Sequence, residues 1–211
     1  MQIRLSRRNL LEKCMALGVA TSATNLSPSV IADAWARSEA NARSPTAAAE
    51  LGPFYKRLAP EGKSLRQPGD PGMPLVVGGA VFSMRGEALP GATMEVWQTN
   101  HVGLYDIEGY RYRAKLTTSA DGKYDFSSVM PGHYPARVCQ HIHYLVTAPG
   151  HKPLVTQLYF ATDPVFEGDP DKNYNRDPLI TGRELVRPVT LVGDPQEMRA
   201  RVLFELVLEP L

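Results

Sequence analysis

Eighteen prolines and 17 glycines punctuate this chain of 211 residues. They fall between short apolar runs, not inside long periodic ones. Proline removes a backbone donor and glycine favours turns, so a chain broken this often has no room for long helices. The runs between them, 75–82, 92–98, 115–118, 123–126, 141–148, 154–161, 187–192 and 201–209, carry many β-branched and aromatic residues and read as strands. Arg85-Gly86-Glu87 and Pro90-Gly91 supply turn chemistry, and Ala120-Asp121-Gly122 contains the Asp-Gly pair that signals a hairpin. The pattern predicts an all-β fold: a two-sheet antiparallel β-sandwich with long loops, and no internal repeat.

Three segments are expected. Residues 1–34 read as a twin-arginine export signal: Ser6-Arg7-Arg8-Asn9-Leu10-Leu11, a weakly apolar stretch through Ala20, then small residues around Ala32-Asp33-Ala34. An ordinary basic, helical N-terminus is the alternative. The apolar stretch is too short and too interrupted by Thr and Ser to span a bilayer, so the expectation is a periplasmic or extracellular protein. Residues 35–74 form an irregular arm, broken at Pro45, Pro53, Pro60, Pro68, Pro71 and Pro74, with at most a helical turn near Thr46–Leu51. Residues 75–211 form the sandwich.

Charge argues against a nucleic-acid partner. The net charge is +1, and residues 1–34 hold four Lys/Arg against two Asp/Glu, which leaves −1 on the remainder. A near-neutral chain lacks the basic footprint that phosphate binding needs. Of the two cysteines, Cys14 lies in the expected signal, so Cys139 is left without a disulfide partner. Cys139 reads as a small buried residue.

His141-Ile142-His143 opens one of the expected strands. Residues two apart in a strand share a face and lie roughly 6–7 Å apart, close enough for both imidazoles to reach one ion. Taken alone, the pair is also compatible with half-buried histidines satisfied by hydrogen bonds. Two tyrosines occupy glycine-marked turns upstream: Tyr105 in Gly103-Leu104-Tyr105-Asp106, and Tyr134 in Pro131-Gly132-His133-Tyr134-Pro135. A polar loop from Asp163 to Gly182 is too long for a simple connector, so it is either a pocket rim or a partner surface.

From Gly52 to Pro164 the chain resembles the intradiol ring-cleavage dioxygenases. The resemblance rests on signatures in the family's order: Gly52-Pro53-Phe54-Tyr55, Pro90 through Asn100, Gly103-Leu104-Tyr105, Pro131 through Pro135, His141-Ile142-His143, and Thr156-Gln157-Leu158-Tyr159-Phe160. It implies a ferric centre on Tyr105 and His141 (equatorial) and Tyr134 and His143 (axial), with Tyr134 leaving when substrate chelates. It further implies insertion of both atoms of O2 into a catechol-type aromatic to give a cis,cis-muconate-type product. Phenolate is a hard donor, and two phenolates with two imidazoles suit Fe(III) better than Zn(II). Two phenolates and a hydroxide also neutralise Fe(III), which a buried site can hold without a net charge. The twin-arginine route, which exports folded proteins often already loaded with a cofactor, fits such a centre.

The remaining site residues follow from the same resemblance. Gln157 matches a glutamine beside the iron pocket. The family's arginine, three residues before the first histidine, is Val138 here; Arg137, if the backbone bulges, or Gln140 is the replacement. Gly52-Pro53-Phe54-Tyr55 lies near the mouth of the site, where Tyr55 is either a pocket or a packing residue. Tyr110, Tyr112, Tyr124 and Tyr144 compete for the ligand role, while His101, His133 and His151 read as loop or surface residues. The chain lacks room for the long helical segment of the catechol 1,2-dioxygenases, which moves the expectation toward smaller, protocatechuate-type or extracellular members, with a homo-oligomer possible. The competing functions are a non-catalytic prealbumin-like binding sandwich and another H-x-H metalloprotein of the cupin or copper type.

Overall fold

The structure is a computed structural model and describes residues 42–211 except 136, 195 and 196. The expected export signal lies outside the described residues. Ten strands follow the arm: β1 (Pro74–Ser83), β2 (Thr93–Trp97), β3 (Arg113–Thr117), β4 (Lys123–Val129), β5 (His141–Thr147), β6 (Leu154–Phe160), β7 (Val186–Arg187), β8 (Thr190–Val192), β9 (Arg199–Leu203) and β10 (Leu206–Leu208). One five-stranded sheet contains β1, β4, β8, β9 and β10; the other has the order β3-β2-β5-β6-β7. Among the described residues the only α-helix is the single turn α1 (Pro170–Asn173), and no helix is long and apolar enough to cross a membrane.

The sandwich is all-β as expected, but its sheets are mixed and not purely antiparallel. β1 runs parallel to β9 and to β10, and β6 runs parallel to β7. Two of the expected strands are each divided. The run 187–192 breaks at Pro188, which has no N–H for a ladder; β7 stays beside β6, while β8 crosses to pair with β9. The run 201–209 breaks at Phe204, whose N–H donates to the Gly78 carbonyl at 2.9 Å. A Cβ on Gly79 would lie 1.9 Å from the Phe204 carbonyl oxygen, so only glycine admits this approach.

The Asp-Gly turn also differs from expectation. It is present, with Gly122 at φ 74° and its N–H donating to Ser119 O at 2.9 Å. Yet β3 pairs with β2 and β4 pairs with β1, so the turn joins the two sheets and does not make a hairpin. No helical turn forms at 46–51. That part of the arm is extended along strand edges, where Thr46 N–H donates to Val207 O (3.1 Å) and Ala49 N–H to Val155 O (2.8 Å).

The core lies between the sheets. Val77, Val81, Phe126, Val202 and Leu206 on one side meet Met94, Val96, Ile142, Tyr144 and Leu158 on the other. Tyr144 packs against Phe204 at 5.3 Å and Phe126 at 6.2 Å. Strand alternation then turns His141 and His143 to the opposite, outer face of β5. That outer face is covered as well, and both histidines are buried.

Tyr144 and Tyr124 make a testable contrast in this core. The Tyr124 hydroxyl donates to Phe204 O at 2.6 Å, and the buried Tyr144 hydroxyl has only the Tyr124 hydroxyl to meet. An unsatisfied buried hydroxyl costs about 1–3 kcal/mol. Tyr124→Phe takes the partner from both Phe204 O and the Tyr144 hydroxyl and is therefore expected to destabilise the protein by about 1–3 kcal/mol, whereas Tyr144→Phe is expected to stay within about 1 kcal/mol, read by urea denaturation. The reverse order would show that the core hydroxyls are paired differently.

Candidate metal centre

In the sheet register His141 lies opposite Tyr159, and His143 lies between Gln157 on β6 and Trp97 on β2. The two imidazole centroids are 4.8 Å apart and nearly perpendicular. His141 Nδ1 lies 2.8 Å from the Cys139 carbonyl oxygen. Because a carbonyl only accepts, Nδ1 carries the proton and the lone pair falls on Nε2. That Nε2 is buried and has no protein partner. Burial, aided by Arg137, pushes the His141 pKa down to about 4. His143 is held well below the usual range by burial and then by His141. Both are neutral imidazoles at pH 7, the form that ligates metals. His143 is fixed by Trp97, stacked at 4.9 Å and 4°, and a Cβ on Gly52 would come within 3.2 Å of its Cε1.

The tyrosines arrive on two loops that share a support. Asn100 Oδ1 accepts from Val102 N–H and Leu104 N–H, and its carbonyl accepts from Gly103 N–H and Gly132 N–H. Gly103 has φ 85°, and a Cβ there would lie 1.8 Å from His133 O. This contact sets Tyr105 beside Tyr134, ring to ring at 5.5 Å, and Tyr134 is 5.8 Å from His141. Four rings, Tyr105, Tyr134, His141 and His143, thus form an unbroken chain of neighbours. The Tyr105 hydroxyl is buried and meets the Tyr134 hydroxyl. Burial raises its pKa strongly, and Tyr134 adds to that rise. Tyr134 is raised by burial and opposed by Arg137. Without a cation both phenols are neutral; a bound metal ion reverses that preference. Among the described residues no three His, Cys, Asp or Glu side chains form a metal-binding group, so any ion here depends on the phenols.

The four-ring cluster lies on the outer face of β5 and not between the sheets, roofed by the arm and the two tyrosine loops. Phe54 stacks on Tyr105 at 4.2 Å and meets Tyr134 edge-on at 5.9 Å. Tyr55 points elsewhere: its hydroxyl bonds Glu95 at 3.2 Å and its ring meets Trp97 at 5.1 Å. The pocket residue in Gly52-Pro53-Phe54-Tyr55 is therefore Phe54. Phe54, Trp97 and Tyr159 were not singled out from sequence. For Trp97 the available signal was its place on a strand able to pair with His141-Ile142-His143.

Arg137 faces inward and Val138 outward. The Arg137 N–H closes a turn on Tyr134 O at 3.0 Å, so a turn before β5, and not a strand bulge, reorients the chain. Arg137 Nη2 donates to Gln157 Oε1 (2.9 Å) and to the Tyr159 hydroxyl (2.8 Å), and Gln157 Nε2 donates to Glu50 O at 2.8 Å. Gln140 is instead committed to Pro131 O at 2.7 Å. Of the competing tyrosines, Tyr110 bonds Arg57 O and Tyr112 bonds Asp70, while Tyr124 and Tyr144 lie in the core. Cys139 is buried and unpaired. His133 bonds Asp163 at 2.9 Å, and His151 Nδ1 lies 2.9 Å from Pro149 O.

Comparison with known proteins gives the family. A family described as Dioxygenase matches residues 51–210. The chain belongs to that family, the intradiol ring-cleavage dioxygenases. It is 35% identical over 147 residues to catechol 1,2-dioxygenase 2 of Acinetobacter lwoffii, covering 56% of this chain and 52% of that protein. It is 31% identical over 194 residues to hydroxyquinol 1,2-dioxygenase of Corynebacterium glutamicum, covering 78% and 64%. The chain thus spans about half to two thirds of the length of these relatives. Among solved structures, the dioxygenase domain of a dioxygenase carbohydrate-binding protein fusion from Streptomyces sp. SirexAA-E is 32% identical, with a TM-score of 0.68, over 80% of this chain and 100% of that one.

The shared support of the two tyrosine loops is directly testable. Gly103→Ala places a Cβ against the His133 backbone at a positive φ, and overpacking with strain is expected to cost about 2–4 kcal/mol. Val102→Ala at the exposed neighbour is expected to stay within about 0.5 kcal/mol. Denaturant titration of both variants decides it, and equal small effects would disprove the close approach.

Proposed function

We propose that this chain is a non-haem Fe(III) dioxygenase that cleaves a catechol-type aromatic between its two hydroxylated carbons and inserts both atoms of O2 to give a cis,cis-muconate-type product. One observation carries this reading: two phenols whose hydroxyls meet each other and two neutral imidazoles in ring contact, with His141 Nε2 buried and unpartnered. Such atoms are costly to leave unpaired unless a ligand satisfies them. Tyr105, Tyr134, His141 and His143 would hold the iron, which when bound supplies Lewis acidity and a template for the diol.

The protein's own groups divide the remaining work. Tyr105 lies stacked beneath Phe54, whereas Phe54 meets Tyr134 only edge-on; as a phenolate, Tyr134 would be the group to accept a substrate proton. Phe54 and Trp97 shield the tyrosine and histidine sides from water. Arg137, linked to Gln157 and Tyr159, presents a positive charge where the diol's negative charge is bound. The relatives' substrates, catechol and hydroxyquinol, indicate a small ortho-dihydroxy aromatic for this chain as well. The sequence of residues 1–34 supports export to the periplasm or beyond.

Iron-loaded protein is expected to be reddish from tyrosinate-to-iron charge transfer. The band should vanish in Tyr105→Phe and His141→Ala. Tyr134→Phe is expected to retain iron better than either and to alter catechol binding instead. Oxygen uptake on catechol, protocatechuate and hydroxyquinol identifies the substrate. A colourless protein that takes up no iron and consumes no O2 would support a binding sandwich and reject the enzyme.

A further inference from the structure

The loop from Asp163 to Gly182 reaches back to the short connection between Tyr134 and His141 through a buried carboxylate. The Asp177 side chain is 1% exposed and lies 3.8 Å from Arg137 Nη2, whose side chain is 7% exposed. Its Oδ2 accepts from Cys139 N–H at 3.3 Å, and its Oδ1 accepts from Leu179 N–H at 3.0 Å. Asp177 is therefore fixed by backbone on both sides, and the guanidinium is fixed against it.

We propose that Asp177 is a positioning residue for Arg137, and that this pair lets an arginine outside the β5 strand serve the substrate pocket. The inference rests on the ferric dioxygenase reading. Arg137 sits in the turn closed on Tyr134 O, so no strand pleat sets the direction of its side chain. Gln157 and Tyr159 accept its hydrogen bonds on one side, the Tyr134 hydroxyl lies within its reach, and Asp177 supplies the counter-charge. The two neutral acceptors orient the guanidinium but cannot balance its charge; the carboxylate can. The Arg137 Nε–H remains buried and unpartnered, a donor still available to an anionic ligand oxygen. A fixed cation with a free donor stabilises developing charge without reorganising during the reaction. This assigns the long loop a role at the pocket rather than at a partner surface.

Wild type, Arg137→Gln, Asp177→Asn and the double variant, each full-length and iron-loaded, test the pair. Both single variants are expected to lower kcat/KM for catechol by about tenfold to a hundredfold, chiefly in kcat. The double variant should be no worse than Arg137→Gln alone, with iron content and the charge-transfer band unchanged throughout. Wild-type kinetics in Asp177→Asn, or losses that multiply in the double variant, would overturn the proposal. So would iron loss in step with activity in Asp177→Asn, because Asp177 would then act through Cys139 and the start of β5. Wild-type protein inert toward catechols would reject the proposed function by itself. Melting temperatures of the four proteins still decide the pairing, with non-additive shifts upholding it and additive shifts refuting it.

Discussion

The burial of β5 on both of its faces is the constraint on which the rest of the structure depends. Ile142, Tyr144 and Val146 meet the opposite sheet, so the strand cannot slip by one residue without placing imidazoles in the core. That fixed register delivers His141 and His143 to the outer face as a pair. Taking imidazoles out of water keeps them neutral, and the Cys139 carbonyl selects which nitrogen of His141 bears the lone pair. Packing on one face thus prepares ligand chemistry on the other.

Covering that outer face requires structure beyond the two sheets. The arm supplies Phe54, the loops hung on Asn100 supply the tyrosines, and Trp97 from β2 holds the second imidazole flat. Each contribution is local and weak on its own. Together they exclude solvent from a cluster that would otherwise be a shallow groove on a sheet surface.

Much of this was legible in the sequence, because period-two runs between turn residues report strands and the ordered Tyr and His signatures report a site. The illegible parts have physical causes. Strand partnership is decided by where the chain leaves a turn, so Asp121-Gly122 looked like a hairpin although its flanking strands belong to different sheets. Pro188 marked a break, but not the change of sheet that follows it. The placement of the site on the outer face depended on which side of β5 met the core, and a strand apolar or aromatic on both sides does not declare that. Arg137 was readable as a candidate only because Val138 cannot bear charge; the turn on Tyr134 that brings it inward leaves no pattern of its own. The burial of Asp177 within a stretch rich in Asp, Asn and Pro was hidden by composition, since such stretches are ordinarily solvated.

The arm is also informative about assembly. Thr46 Oγ1 accepts from Val207 N–H and Thr156 Oγ1 donates to Ala47 O, contacts between residues 161 and 109 positions apart. Links of that span form late, since loop-closure entropy must be overcome before they reward the chain. With Thr46 held by β10 and Ala47 by β6, the arm has its place only where both strands are present. The cover over His143 that begins at Gly52 thus belongs to the chain's most distant pairings and not to the strand that carries the histidine.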